Sequence, residues 1–184
     1  MIQPLLDTDV HVWRIWIDGV SPPNSVRISN DEIRRGQQFK SRLQSRKFLI
    51  QRSFIRWVLA QYVANCRPAT ALQLGRDNRG KPVIVDSHLK FNLSHSGAGL
   101  LIAVCQNRPI GIDFEVVRPM SDLSAIVADF FTTTERATLA QLPYNQRLIE
   151  FFRIWTRKES LWKAVGIGLA GLVRKDSMPL TASV

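Results

Sequence analysis

From Arg46 to Asn65 the chain runs without a glycine or proline, and Leu49, Ile50, Phe54, Trp57, Val58 and Tyr62 recur at the spacing of one helix face. This predicts the long helix of the first half, and the segments flanking it decide the fold class. Before it, Val10 to Ile17 (VHVWRIWI) is rich in β-branched and aromatic residues, as a mostly buried strand is. After it, Gly75 to Pro82 is turn chemistry throughout, followed by short strands over Pro82 to Val85, Phe91 to Leu93 and Leu100 to Gln106. In between, Ser21-Pro-Pro-Asn24 breaks the pattern and Ser29-Asn-Asp-Glu32 supplies a capping box for a short basic helix ending near Phe39.

A second series begins at Pro109. It predicts a strand over Ile110 to Val117, helices near Asp122 to Phe130 and Thr133 to Leu142, and a long helix from Arg147 to Val165 stopped by Gly166. Strand, short helix and long helix thus occur twice, without a residue-level repeat. The expected class is α+β, with two similar α/β lobes and a site between them. The lobes are expected over residues 1–108 and 109–184.

The 184 residues, 45% hydrophobic and 22% charged, have an ordinary globular composition. The longest apolar stretches, such as Gly99 to Cys105, fall far short of the roughly 18 residues a spanning helix needs, so no membrane segment is expected. Met1 to Val12 carries Asp7 and Asp9 and lacks the pattern of a signal peptide, which points to the cytoplasm. Cys66 and Cys105 lie far apart with no histidine at metal spacing and read as small buried hydrophobes in a reducing compartment. The charge of +10 favours a polyanionic partner: nucleic acid, an acidic protein surface or a phosphate-rich small molecule.

In Gly111-Ile112-Asp113-Phe114-Glu115, a strand places Ile110, Ile112, Phe114 and Val116 on one face and both carboxylates on the other. Adjacent anions repel, so the pair sits best against solvent or a cation, and oxygen-only ligands suit magnesium carrying substrate phosphates. Further on, Trp155, Glu159 and Lys163 share one helix face with Lys158 beside them, and the flanking tryptophans argue for partial burial. Phe91-Asn-Leu-Ser94-His95-Ser96-Gly97 offers a hydroxyl, an imidazole and a tight turn able to hold phosphate oxygens. Lys81 in Gly80-Lys-Pro82, with Arg42, Arg46, Lys47, Arg76 and Arg79, could grip terminal phosphates.

Read together, FNLSHSG at 91–97, GIDFE at 111–115 and WTRKESLWKAVGIGL at 155–169, with GKP at 80–82 and FFTTTE at 130–135, resemble the 4′-phosphopantetheinyl transferases of the Sfp type, from about Ser29 to Leu169. The resemblance implies two lobes related by a pseudo-two-fold, and transfer of the phosphopantetheine arm of coenzyme A to a serine of an apo acyl or peptidyl carrier protein. It implies Asp113, Glu115 and Glu159 as magnesium ligands, with Glu159 also the base for the carrier serine. Lys158 and Lys163 are implied at the phosphates, and Arg42, Arg76, Lys81, Ser94 and His95 as coenzyme A contacts. Val116 to Phe131, with Arg118, lies where relatives dock the acidic carrier, which gives the basic charge a specific reading. Such two-lobed proteins usually continue beyond the GxGL segment with several strands, so the second lobe is expected to lack part of its sheet at the short C-terminus. A monomer is expected, with neither nucleic acid nor membrane as partner.

Two other readings compete. A nucleic-acid-binding module would explain the charge, yet no recognition motif is present and Asp113 and Glu115 would repel phosphate without a metal. A magnesium-dependent phosphodiesterase or nuclease could also use three acids and a lysine, but leaves FNLSHSG and GKP without a role. A serine hydrolase lacks its elbow motif, and Ser94 and His95 are adjacent in sequence.

Overall fold

The computed structural model describes residues 3–21, 28–63 and 72–166. Within them the chain is a mixed α/β protein: β1 (His11–Trp16), α1 (Asn30–Gln37), α2 (Arg42–Ala60), β2 (Leu74–Arg76), β3 (Pro82–Ile84), β4 (Leu89–Ser96), β5 (Gly99–Gln106), α3 (Leu123–Phe130), α4 (Thr133–Ala140) and α5 (Tyr144–Val165). No helix among the described residues is long and apolar enough to cross a membrane.

The three longer strands form one antiparallel sheet in the order β1-β5-β4, and β2 and β3 form a separate hairpin. β5 is central because Leu100, Ile102 and Val104 alternate with small Gly99, Ala103 and Cys105, which lets both faces be covered closely. On the first face, Phe54, Ile55, Val58 and Leu59 of α2 pack with Leu100, Ile102, Val104, Phe91 and Ile17. Each such side chain, fully buried, contributes on the order of 1.5–3 kcal/mol, which makes this the main core of the N-terminal half. A second core joins α3, α4 and α5 through Phe131, Leu139, Leu148, Phe151, Phe152 and Ile154.

Local chemistry accounts for the helix ends. Ser29 and Glu32 close the expected capping box, and the Glu32 carboxylate also accepts from Arg52 Nε and Arg56 Nε, both at 2.6 Å, tying α1 to α2. Burial pushes the Glu32 carboxyl up, but the Ser29 N–H and the two guanidiniums outweigh it and hold the group below its ordinary value. α2 begins four residues earlier than its apolar stripe suggests, because Ser41 caps it by accepting from the Gln44 N–H. Pro143 likewise starts α5 ahead of Arg147. Gly166 ends α5 as expected, with φ at +73°.

Three expectations need correction. β2 is a strand where turn chemistry was expected; three residues are too few to show a period. β4 runs on through Ser94-His-Ser96, whose polar face hides it from a hydrophobic pattern. Residues 110–117 are not a ladder strand: the amides of Ile112, Phe114 and Val116 bond to side chains of β4 rather than to backbone. Asn24, Cys66 and residues 167–169 of the C-terminal motif lie outside the described residues, as do the last two residues of the first long helix expected. Cys105 is buried as expected, its thiol donating to the Arg108 carbonyl.

Candidate active site

The second face of the sheet is covered by residues 110–116. Ile110 and Ile112 pack with Ala103 and Cys105, and the Phe114 ring lies so close over Gly99 that a Cβ there would meet it at 2.4 Å. The period of two foreseen in this stretch therefore holds for Ile110, Ile112 and Phe114, which lie down on the sheet, while Asp113 and Glu115 bond to the serines of β4.

α5 crosses this segment at Gly111. A Cβ at that position would fall 1.8 Å from the Ser160 carbonyl oxygen and 2.5 Å from the Ala164 nitrogen, so only glycine lets the helix backbone approach so near. The same approach brings Lys163, one turn beyond Glu159, onto Asp113. Lys163 Nζ donates to Asp113 Oδ1 at 2.5 Å and to Ser94 Oγ at 3.3 Å. The Ser94 hydroxyl also donates to Asp113 Oδ1 at 2.8 Å, and the Ser96 hydroxyl donates to Glu115 Oε2 at 2.7 Å.

Glu159 is half-buried on the same helix. Desolvation pushes its carboxyl above the ordinary value, repulsion from Asp113 and Glu115 adds to this, and Lys163 offsets part of it. Asp113 Oδ2 is buried and has no hydrogen-bond partner among the described residues. The oxygens of Asp113, Glu115 and Glu159, with Asp113 Oδ2 left unbonded in this way, are a donor set of the chemistry that fits a hard divalent cation such as magnesium. As they stand, no three His, Cys, Asp or Glu side chains among the described residues lie in a ligating arrangement, and Lys163 supplies the positive charge on Asp113.

Other expected contacts have different partners. Lys81 Nζ donates to the carbonyls of Ile110, Lys163 and Ala164 at 2.7, 2.8 and 3.2 Å, which occupies all its donors and caps the end of α5. Desolvation lowers its pKa. Arg79 adds a bond to the Val165 carbonyl. Lys158 is buried, pairs with Glu135 Oε2 at 2.9 Å and lies over the Phe131 ring, so its charge is neutralised away from Lys163. Glu135 also completes the capping box of α4 with Thr132, which accounts for FFTTTE. His95 is exposed on the face of β4 opposite Ser94, a consequence of strand alternation. Arg76 bonds to Gly80 within its own hairpin, Lys47 pairs with Asp18, and Arg42 is exposed at the start of α2.

Sequence reasoning missed Asn92 and Ser96 as site residues, and Gly111 as the point of helix approach. The signal was the Asn-x-Ser-x-Ser pattern at period two, which matches the period of 110–116. Beside the cluster, Lys81, Asn92, Leu93, Trp162 and Lys163 line a pocket of about 250 Å³ open to solvent.

Residues 109–181 match the model of the 4′-phosphopantetheinyl transferase superfamily. The 4′-phosphopantetheinyl transferase HetI of Nostoc is 38% identical over 177 residues, covering 91% of this chain and 73% of that protein. The chain belongs to the 4′-phosphopantetheinyl transferase family. Its likeness to transferase psf-1 of Bacillus pumilus is 31% over 92% of this chain and 68% of that one. With transferase AcpT of Escherichia coli K12 it is 30% over 66% and 63%. This phosphopantetheinyl transferase therefore spans roughly three-fifths to three-quarters of the length of these relatives. The GIDFE and WTRKES segments, with Asp113, Glu115 and Glu159, fall inside the matched family region.

Proposed function

We propose that this transferase moves the phosphopantetheine arm of coenzyme A onto a serine hydroxyl of an apo acyl or peptidyl carrier protein, releasing adenosine 3′,5′-bisphosphate. The observation that carries the reading is Asp113, buried beside Glu115 and Glu159 with one oxygen held by Lys163 and the other without a partner among the described residues. Asp113, Glu115 and Glu159 would hold magnesium, which when bound neutralises the diphosphate.

In the transfer, the carrier serine oxygen forms a bond to the phosphorus bearing the pantetheine arm. The bond from that phosphorus to the bridging oxygen breaks, and the serine proton goes to a carboxylate. Glu159, whose carboxyl is shifted toward a higher proton affinity, is suited to take that proton. Lys163, about a third exposed at its side chain, is the cation able to turn from Asp113 to the leaving phosphate. Ser94 and the pocket beside Lys163 and Asn92 are suited to the diphosphate and arm of coenzyme A. Arg42, Arg76 and His95, all exposed, remain available to its outer phosphate.

The two-lobe reading, 1–108 and 109–184, is supported by the separate cores on either side of residues 110–116. Exposed Val116 and Val117 beside Arg118 offer an apolar and basic surface suited to an acidic carrier. The proposed setting is a monomer in the cytoplasm.

The test is incubation with magnesium, coenzyme A and an apo carrier, followed by mass spectrometry of the carrier. A gain of one phosphopantetheine, lost when magnesium is chelated and in Asp113→Ala and Glu159→Ala, is the expected result. Cleavage of nucleotide without any mass gain would overturn the reading in favour of a phosphodiesterase.

A further inference from the structure

Asn92, Ser94 and Ser96 are polar side chains on one face of β4, and each is nearly inaccessible to solvent, at 6% exposure. Burying three polar groups in a row is costly unless each is satisfied. All three accept a hydrogen bond from the same neighbouring segment. Asn92 Oδ1 accepts from the Ile112 N–H at 2.9 Å, Ser94 Oγ from Phe114 N–H at 3.1 Å and Ser96 Oγ from Val116 N–H at 3.1 Å. The numbers rise together, so residues 112–116 run in the direction of β4, held to it by side chains in place of a backbone ladder.

A hydroxyl has one proton to give. Ser94 gives it to Asp113 and Ser96 gives it to Glu115, so each serine receives an amide and orients the preceding carboxylate. The Asn92 rung orients no acid, since residue 111 is the glycine under α5. Lys163 also reaches Ser94 and Asp113, whereas Glu115 has, among the described residues, the Ser96 hydroxyl and the longer 3.7 Å ion pair with the more exposed Arg118.

We propose that Ser96 is a positioning residue for metal binding: its hydroxyl fixes the Glu115 carboxylate in the orientation that a divalent cation needs. The proposal rests on the metal reading above, and groups that orient ligands in this way commonly affect metal affinity by about 10–100-fold.

The experiment titrates Mn²⁺ into the whole protein, followed by electron paramagnetic resonance of the free ion, for the parent, Ser96→Thr and Ser96→Val. Threonine keeps the hydroxyl and valine has the same shape without it. The expected result is a dissociation constant raised about tenfold or more in Ser96→Val and within about threefold of the parent in Ser96→Thr. Adding Ser96→Val to Glu115→Gln should weaken binding little further, because the serine acts through that carboxylate. A parent that binds no Mn²⁺ overturns the metal reading and the proposal together. A parent that binds, with Ser96→Val binding equally well, overturns the proposal alone. Where Ser96→Val does not fold, Ser96→Ala, which only removes atoms, is read by the same criteria.

Discussion

Lys163 Nζ stands 2.5 Å from Asp113 Oδ1 across fifty positions of sequence, joining the end of α5 to the acidic segment laid over the sheet. The pair places a partly exposed cation on a buried anion at the point where phosphate is proposed to bind. Lys163→Met is expected to lower the turnover of carrier modification by about 10²–10³-fold, the usual cost of removing one donor from developing charge. Rates of carrier mass gain would show it, with circular dichroism confirming that the fold is kept. Unchanged turnover would remove Lys163 from the proposed chemistry.

Gly111 allows α5 to approach the acidic segment. Gly111→Ala sets a methyl against the Ser160 carbonyl, where backbone on both sides must move. A loss of about 3 kcal/mol in urea unfolding, near the upper end for overpacking, is expected, together with a fall in activity. Parent-like stability would mean that the helix does not lie so near.

Lys81 caps α5 through three carbonyls. Lys81→Met should therefore lower the unfolding midpoint, at a cost of about 1–3 kcal/mol for carbonyls left unpaired. It should leave the ratio of KM values for coenzyme A and its 3′-dephospho form unchanged. A ratio falling to one would instead assign Lys81 to the outer phosphate, one of the coenzyme A contacts that the family resemblance implies for it.

Glu32 is nearly buried between Arg52 and Arg56, so Glu32→Gln removes the anion that faces both guanidiniums and should cost about 3–5 kcal/mol at neutral pH. Because its folded pKa lies below the unfolded one, its stabilisation is complete above the ordinary glutamate range and is lost as pH falls through the depressed folded value. The gap between parent and variant in urea unfolding should accordingly narrow as the pH is lowered through that range. A gap that is constant with pH would show that the charge of Glu32 does not matter to the fold.

Much of this was legible locally. The Ser29–Glu32 box, the apolar stripe of α2, the stop at Gly166 and the alternation from Ile110 to Val116 depend on neighbours a few residues apart, and periodicity reports those directly. Asp113 and Glu115 were legible as a pair on one side of an extended segment because such a segment fixes the direction of its side chains, while grouping them with Glu159 came from the family resemblance. Tertiary structure decided which cation met which anion or carbonyl: Lys163 to Asp113, Lys158 to Glu135, Lys81 to the end of α5. Long basic side chains have similar local preferences, and only the packing of α5 across Gly111 and the β2–β3 hairpin selects among their distant partners. Sequence likewise determined that residues 110–116 are extended, while the fold decided that their amides meet Asn92, Ser94 and Ser96 rather than a strand, because the segment crosses the face of the sheet instead of extending its edge.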